Sequence, residues 1–227
     1  MGDRGKRYEK AAKRVDPDRR YPLPEAVAIL QSFEPAKFDE TVNLAVRLGI
    51  DPKKTDQLVR GAVSLPRGLG RTVRVLVFAE GDLAAQAREA GADFVGSEDL
   101  AKKILGGWAD FDIAIAHPDL MKVVGRLGKV LGPQGKMPSP KSGTVTPDVV
   151  RAVREFKAGK VEFRTDAGGN VHAPVGKRSF PADHLVENVT AILDHLRAAR
   201  PAAVKGVFLS KVVLSSTMSP GVAVEAT

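Results

Sequence analysis

The spacing of apolar residues changes twice along this chain, and that double change limits the possible folds more than any other feature. Between Val73 and Leu131, short apolar runs recur at intervals of about 20 residues. They are VRVLVFA (Val73 to Ala79), ADFVG (Ala92 to Gly96) and FDIAIAH (Phe111 to His117). Each reads as a strand buried on both faces. The stretches between them have helical spacing. Asp82 is placed to cap the first helix and Gly91 to end it, while Ser97 is placed to cap EDLAKKILGGW. Leu100, Ile104 and Trp108 then share one helical face. DLMKVVGRLGKVL follows the third strand as a further helix. Strand, helix, strand in this order predicts βαβ units and a parallel, Rossmann-like sheet.

On either side the apolar residues alternate singly. TVNLAVRL (Thr41 to Leu48) puts Val42, Leu44, Val46 and Leu48 on one side, as in a strand with one wet face. KVEFRTDAGGNVHAPV reads as a hairpin turning at Ala167-Gly168-Gly169. ADHLVENVTAILDHLRAA carries Leu185, Val189, Ile192 and Leu196 on one helical stripe, and GVFLSKVVLSS is a late strand. One arrangement reconciles the two styles. An α+β domain is formed by residues 1–67 and 160–227, and the βαβ module, residues 68–159, is inserted into it. The 227 residues suffice for two such cores. The crossings fall near PRGLGR and KAGK, whose glycines suit a hinge.

Composition narrows the chemistry. A net charge of +8 and a pI near 9.8 favour anionic partners, nucleic acid above all. Residues 1–20 alone hold 8 Lys/Arg against 4 acids. With no cysteine, disulfides, thiolate metal sites and cysteine nucleophiles are excluded, which fits a reducing cytoplasm. The four histidines are scattered, so no metal is expected. The basic N-terminus lacks the apolar run of a signal peptide, and no apolar stretch is long enough for a membrane span.

A nucleotide-dependent α/β enzyme is the alternative that the parallel sheet invites. Its fingerprints are missing. FAEGDLA after the first strand has no G-x-G-x-x-G, and neither Gly128-Lys129 nor Gly135-Lys136 is followed by Ser or Thr. No catalytic residue and no cofactor are expected. A DNA-binding regulator would need a helix-turn-helix with a clear recognition face, and none is evident. Only 5% of residues are aromatic, and no stacking-type RNA signature occurs. RNA would therefore be read by shape, phosphate charge and ribose hydroxyls.

The acid-free stretch GRLGKVLGPQGKMPSPKSGTV (Gly125 to Val145) closely resembles the signature of the ribosomal protein L-one family, the mobile-stalk protein of the large subunit. GKRY, AKFDETV, LGIDP, VRGAVSLPRGLG, EAGADFVG, AGKVEFR, HAPVGK and STMSPGV resemble further family blocks in family order, bacterial in type. The resemblance implies two domains, an α+β RNA-binding one from both chain ends and an inserted three-layer α/β one. It implies partners as well: structured large-subunit ribosomal RNA at the stalk, exit-site tRNA whose release it assists, and the leader of its own operon's mRNA, which it represses. It further implies a monomer outside the ribosome.

Carried onto this sequence, the family's RNA contacts fall on Lys37, Phe38, Glu40 and Thr41 in AKFDET, and on Thr217, Met218 and Ser219 in STMSP, with His172 as a further candidate. Ser219 stands where the family usually has glycine. Lys6 and Arg7 are candidate phosphate contacts. These residue types suit RNA contact. Threonine hydroxyls can pair with a ribose 2′-hydroxyl, Phe38 and Met218 can lie against a ribose or base, and Lys37 can neutralise a phosphate.

Overall fold

The computed structural model describes residues 5–225. Residues 1–4, the start of the basic N-terminal segment, and residues 226–227, the end of the discontinuous domain, lie outside the described residues. The chain forms two compact units, Met1–Gly70 with Val161–Thr227, and Arg71–Lys160.

The first unit begins with helix α1 (Lys6–Ala12) and helix α2 (Leu23–Ser32). Pro24 sits in the first turn of α2, where its missing N–H costs nothing. Strand β1 (Thr41–Leu48) buries Val42, Leu44, Val46 and Leu48 and turns its other residues outward, as its alternation predicts. Strand β2 (Arg60–Ser64) follows.

The second unit opens with β3 (Val75–Phe78), then α3 (Gly81–Glu89), β4 (Phe94–Gly96), α4 (Glu98–Leu105) and β5 (Ile113–Ala116). The strands are parallel, in the order β4-β3-β5. Leu76, Phe78, Ala114 and Ala116 pack with Leu100 and Ile104 of α4 and with Phe111, Val124, Leu127 and Leu131. Val75, Val77 and Ile115, of opposite parity, are equally buried, which leaves their face to α3 and α7.

Several local expectations are corrected here. Asp82 lies inside the first turn of α3, and Glu80 holds the capping position. Ser97 does stand at the cap of α4, but its hydroxyl makes no capping bond. Gly106 and Gly107 end α4 before Trp108, so Trp108 joins the core from a loop, edge-on to Phe94 at 4.8 Å. DLMKVVGRLGKVL is not one helix. It forms a 3₁₀ turn (Pro118–Leu120), α5 (Met121–Gly125) and α6 (Gly128–Leu131), with Gly125 and Gly128 weakening the helix at the second break. A second 3₁₀ turn (Pro140–Ser142) leads to α7 (Val149–Ala158), capped by the Asp148 carboxylate on Arg151 N.

Returning to the first unit, β6 (Lys160–Arg164), β7 (Asn170–Lys177), α8 (Ala182–Ala198), β8 (Leu209–Ser216) and β9 (Val222–Val224) complete the chain. The antiparallel sheet runs β7-β1-β8-β9, and α2 and α8 cover one face. The expected hairpin exists only at its tip. Asp166 N donates to Asn170 O at 2.8 Å, and Gly169 takes the left-handed conformation such a turn needs. Beyond Thr165 the arms part: β6 pairs with β2, and β7 pairs with β1.

Candidate nucleic-acid interface

The segment before β1 and the turn after β8 are more than 170 residues apart in sequence, and one buried carboxylate joins them. Glu40 is only 2% exposed. Its Oε1 accepts from Ala36 N at 3.0 Å, and its Oε2 accepts from Met218 N at 3.1 Å and from the Ser216 hydroxyl. Arg178 lies 3.5 Å from Oε1 and also donates to Gln31 O and Phe33 O at the end of α2. Burial pushes the Glu40 carboxyl up, but the bonds from Ser216, Met218 and Ala36 and the charge of Arg178 outweigh it. The net effect holds Glu40 below the usual glutamate range.

Thr217 makes a second bridge. Its hydroxyl accepts from Thr41 N at 3.1 Å and lies 3.3 Å from Thr41 O, the acceptor to which it donates. Thr41 Oγ1 accepts from Lys177 Nζ at 3.0 Å, and Lys177 also reaches Asp39 O. The Asp39 carboxylate accepts from Ser179 N and from its hydroxyl. The loop is thus held from inside while its side chains stay outside. Phe38 is 54% exposed and Met218 53%, so neither belongs to the core. Lys37 is exposed, with no hydrogen-bond or ion-pair partner among the described residues.

Ser219 closes the turn. Its Oγ accepts from Ser216 N at 2.9 Å and lies 2.9 Å from Pro220 O. Its φ is not positive, so the backbone there does not require glycine. Its hydroxyl is engaged within the turn.

In this geometry Glu40 is buried and both of its carboxylate oxygens are engaged within the protein. His172 lies on β7 opposite Ala45, about 15 Å along the strand from Lys177. Its ring is 3.5 Å from Asp166. Lys6 and Arg7 lie on α1, and no hydrogen bond or ion pair among the described residues joins them to the cluster. Sequence reasoning missed Lys177, Arg178 and Ser179, although the basic pair after β7 was a visible signal.

A family model, that of the ribosomal protein L1p/L10e family, matches residues 30–220. The chain belongs to this family. It is accordingly a ribosomal protein, an RNA-binding component of the large subunit, and the family's role is structural rather than enzymatic. Both halves of the Glu40 cluster lie inside the matched residues, whereas Lys6 and Arg7 lie outside them.

The Gly128–Gly143 stretch of this family member packs on its own unit. Leu131 is fully buried, Lys136 Nζ donates to Ala109 O at 2.8 Å over the Phe111 ring, and the Ser142 and Thr144 hydroxyls pair at 3.0 Å. The lysine of Gly135-Lys136 is therefore already engaged. No described helix is long and apolar enough to cross a membrane. Among the described residues, no group of three or more His, Cys, Asp or Glu is placed to hold a metal ion.

Proposed function

We propose that the Glu40-centred corner is the specific RNA grip of this protein, holding structured large-subunit ribosomal RNA at the mobile stalk. The observation that carries this reading is the buried carboxylate, which locks Phe38, Thr217 and Met218 into one exposed group. Apolar side chains cover a ribose or base, threonine hydroxyls address the 2′-hydroxyl, and Lys37 neutralises a phosphate. On the ribosome, in the cytoplasm, the protein assists release of deacylated tRNA from the exit site. It also represses its own operon by binding a messenger leader that resembles the ribosomal site. The family match and the absence of nucleotide-binding fingerprints support this reading over an enzyme.

Thr217→Ala is expected to weaken binding of the stalk ribosomal RNA fragment by about 1–2 kcal/mol at fixed salt, the scale of a lost hydrogen bond in a desolvated site. Thr217→Ser is expected to stay near wild type. Filter-binding titrations at matched salt read both, and equal affinities for all three proteins would remove Thr217 from the site. Competition between the ribosomal fragment and the leader RNA tests the repressor role; simultaneous binding of both would end it.

A further inference from the structure

The sheet that carries the corner leaves one face uncovered, and that face has an unusual charge arrangement. Along β1 the outward residues are Thr41, Asn43, Ala45 and Arg47. Their neighbours on β7 are Lys177, Pro174, His172 and Asn170. On β8 they are Ser215, Val213 and Lys211, with Thr217 just beyond. Arg47 and Lys211 are direct cross-strand partners, and both are exposed. Like charges in that position repel and destabilise a sheet. Nothing offsets them: neither forms an ion pair among the described residues, and β1, β7, β8 and β9 carry no Asp or Glu. Glu225, one residue past β9, pairs with neither. Asp166, at the β7 turn, is occupied by Gly168 N, Asn170 N and the Asn170 amide.

Cations on strands commonly guard exposed edges against aggregation. That explanation does not fit Arg47, because β1 is flanked on both sides by β7 and β8. Between the cation pair and the corner the face carries Ala45, Val213 and Pro174, with the polar Asn43, Ser215 and exposed His172 beside them. From Thr41 to Arg47 the track is about 20 Å long. It is continuous with the Thr41–Thr217 corner and positive at its far end.

We propose that this open face is a second, phosphate-reading part of the RNA interface, in which Arg47 and Lys211 grip the backbone of the RNA held at the Phe38–Met218 corner. This rests on the RNA-binding reading of the corner. The repulsion of the opposed cations is uncompensated in the free protein and is relieved when RNA phosphates neutralise them.

The deciding experiment uses the full chain and the stalk ribosomal RNA fragment, with affinity measured across a salt series. In Arg47→Ala/Lys211→Ala the slope of log affinity against log salt is expected to be shallower by about 1.5, as for two lost phosphate contacts. Affinity should fall most at low salt, and Tm should be unchanged or higher, since a repulsion is removed. Thr217→Ala should lower affinity with the slope kept. Lys211→Gln alone serves if the double variant fails to fold, with about half the slope change. Wild-type slope and affinity in these variants would overturn the inference while leaving the corner intact, as would a face that serves an acidic protein. A wild-type protein that does not bind the fragment would overturn the corner reading itself.

Discussion

Glu40 shows how a single buried residue can tie together segments that are distant in sequence. Removing its carboxylate would leave Arg178 buried without its counter-charge and would free Ala36 N, Met218 N and the Ser216 hydroxyl. Glu40→Ala is therefore expected to destabilise the first unit by about 3 kcal/mol, the cost of breaking a buried pair. Denaturant unfolding measures this, and a loss under about 1 kcal/mol would contradict the geometry. Because the folded protein holds this carboxyl below its ordinary value of 4.5, its stabilisation is full above that value. It is lost as pH falls from there through the lowered value. Glu40→Gln should thus be less stable than wild type at neutral pH, with a gap that narrows in acid. Melting curves between about pH 7 and about pH 3 check the sign. The letter at position 40 announced an acid just ahead of an alternating strand, but not its burial. Burial follows from Arg178 and the Ser216 turn, and neither is a sequence neighbour.

At the scale of elements, α8 illustrates what periodicity leaves out. Its stripe of Leu185, Val189, Ile192 and Leu196 was legible and is fully buried. Asn188 lies on the same buried side and is 0% exposed. Its side chain accepts from Arg67 N at 3.0 Å and donates to Gly68 O and Val175 O at 3.0 and 2.8 Å. It satisfies half-buried backbone groups of the Pro66–Gly70 segment and the buried Val175 carbonyl. Asn188→Leu is expected to cost about 2–3 kcal/mol despite adding apolar surface, because it strands those groups. Denaturant midpoints compare it with wild type, and a gain in stability would refute the pinning role. Gly70 belongs to the same segment. It has a φ of 67°, and a Cβ there would sit 2.6 Å from Phe180. Gly70→Ala is expected to lower Tm, by several degrees if the loss is about 1–2 kcal/mol. The hairpin tip at Asp166–Asn170 was readable from its turn residues, whereas the parting of its arms was not. Turn chemistry is local, and sheet membership depends on which distant strand is free to pair.

For the whole molecule, the division into Met1–Gly70 with Val161–Thr227 and Arg71–Lys160 sets an experiment. The first unit owns the entire Glu40 corner and the open sheet face. Residues 1–70 joined by a short glycine linker to 161–227 are expected to fold cooperatively and to bind the ribosomal fragment within about tenfold of the full chain. Circular dichroism melting followed by binding at fixed salt decides. A folded two-ended protein without specific binding would move the site to the inserted unit. The excised Arg71–Lys160 unit, with its sheet buried on both faces, is expected to fold alone and to lack that specificity.

Periodic features were settled by the order of residues alone. These are the wet-faced β1, the both-faces-buried β3 and β5, and the α8 stripe. Each depends on residues a few positions apart, where backbone geometry alone fixes who faces whom. Other features came from the tertiary fold: that Glu40 joins the segment before β1 to the turn after β8, that Lys136 is held by Ala109 O, that the hairpin arms go to different sheets, and that Arg47 meets Lys211. Each of these pairs atoms from segments far apart in the chain. Long-range contacts leave no period in a single sequence. They arise only when the core closes and sets which polar groups are buried, and therefore which must be paired.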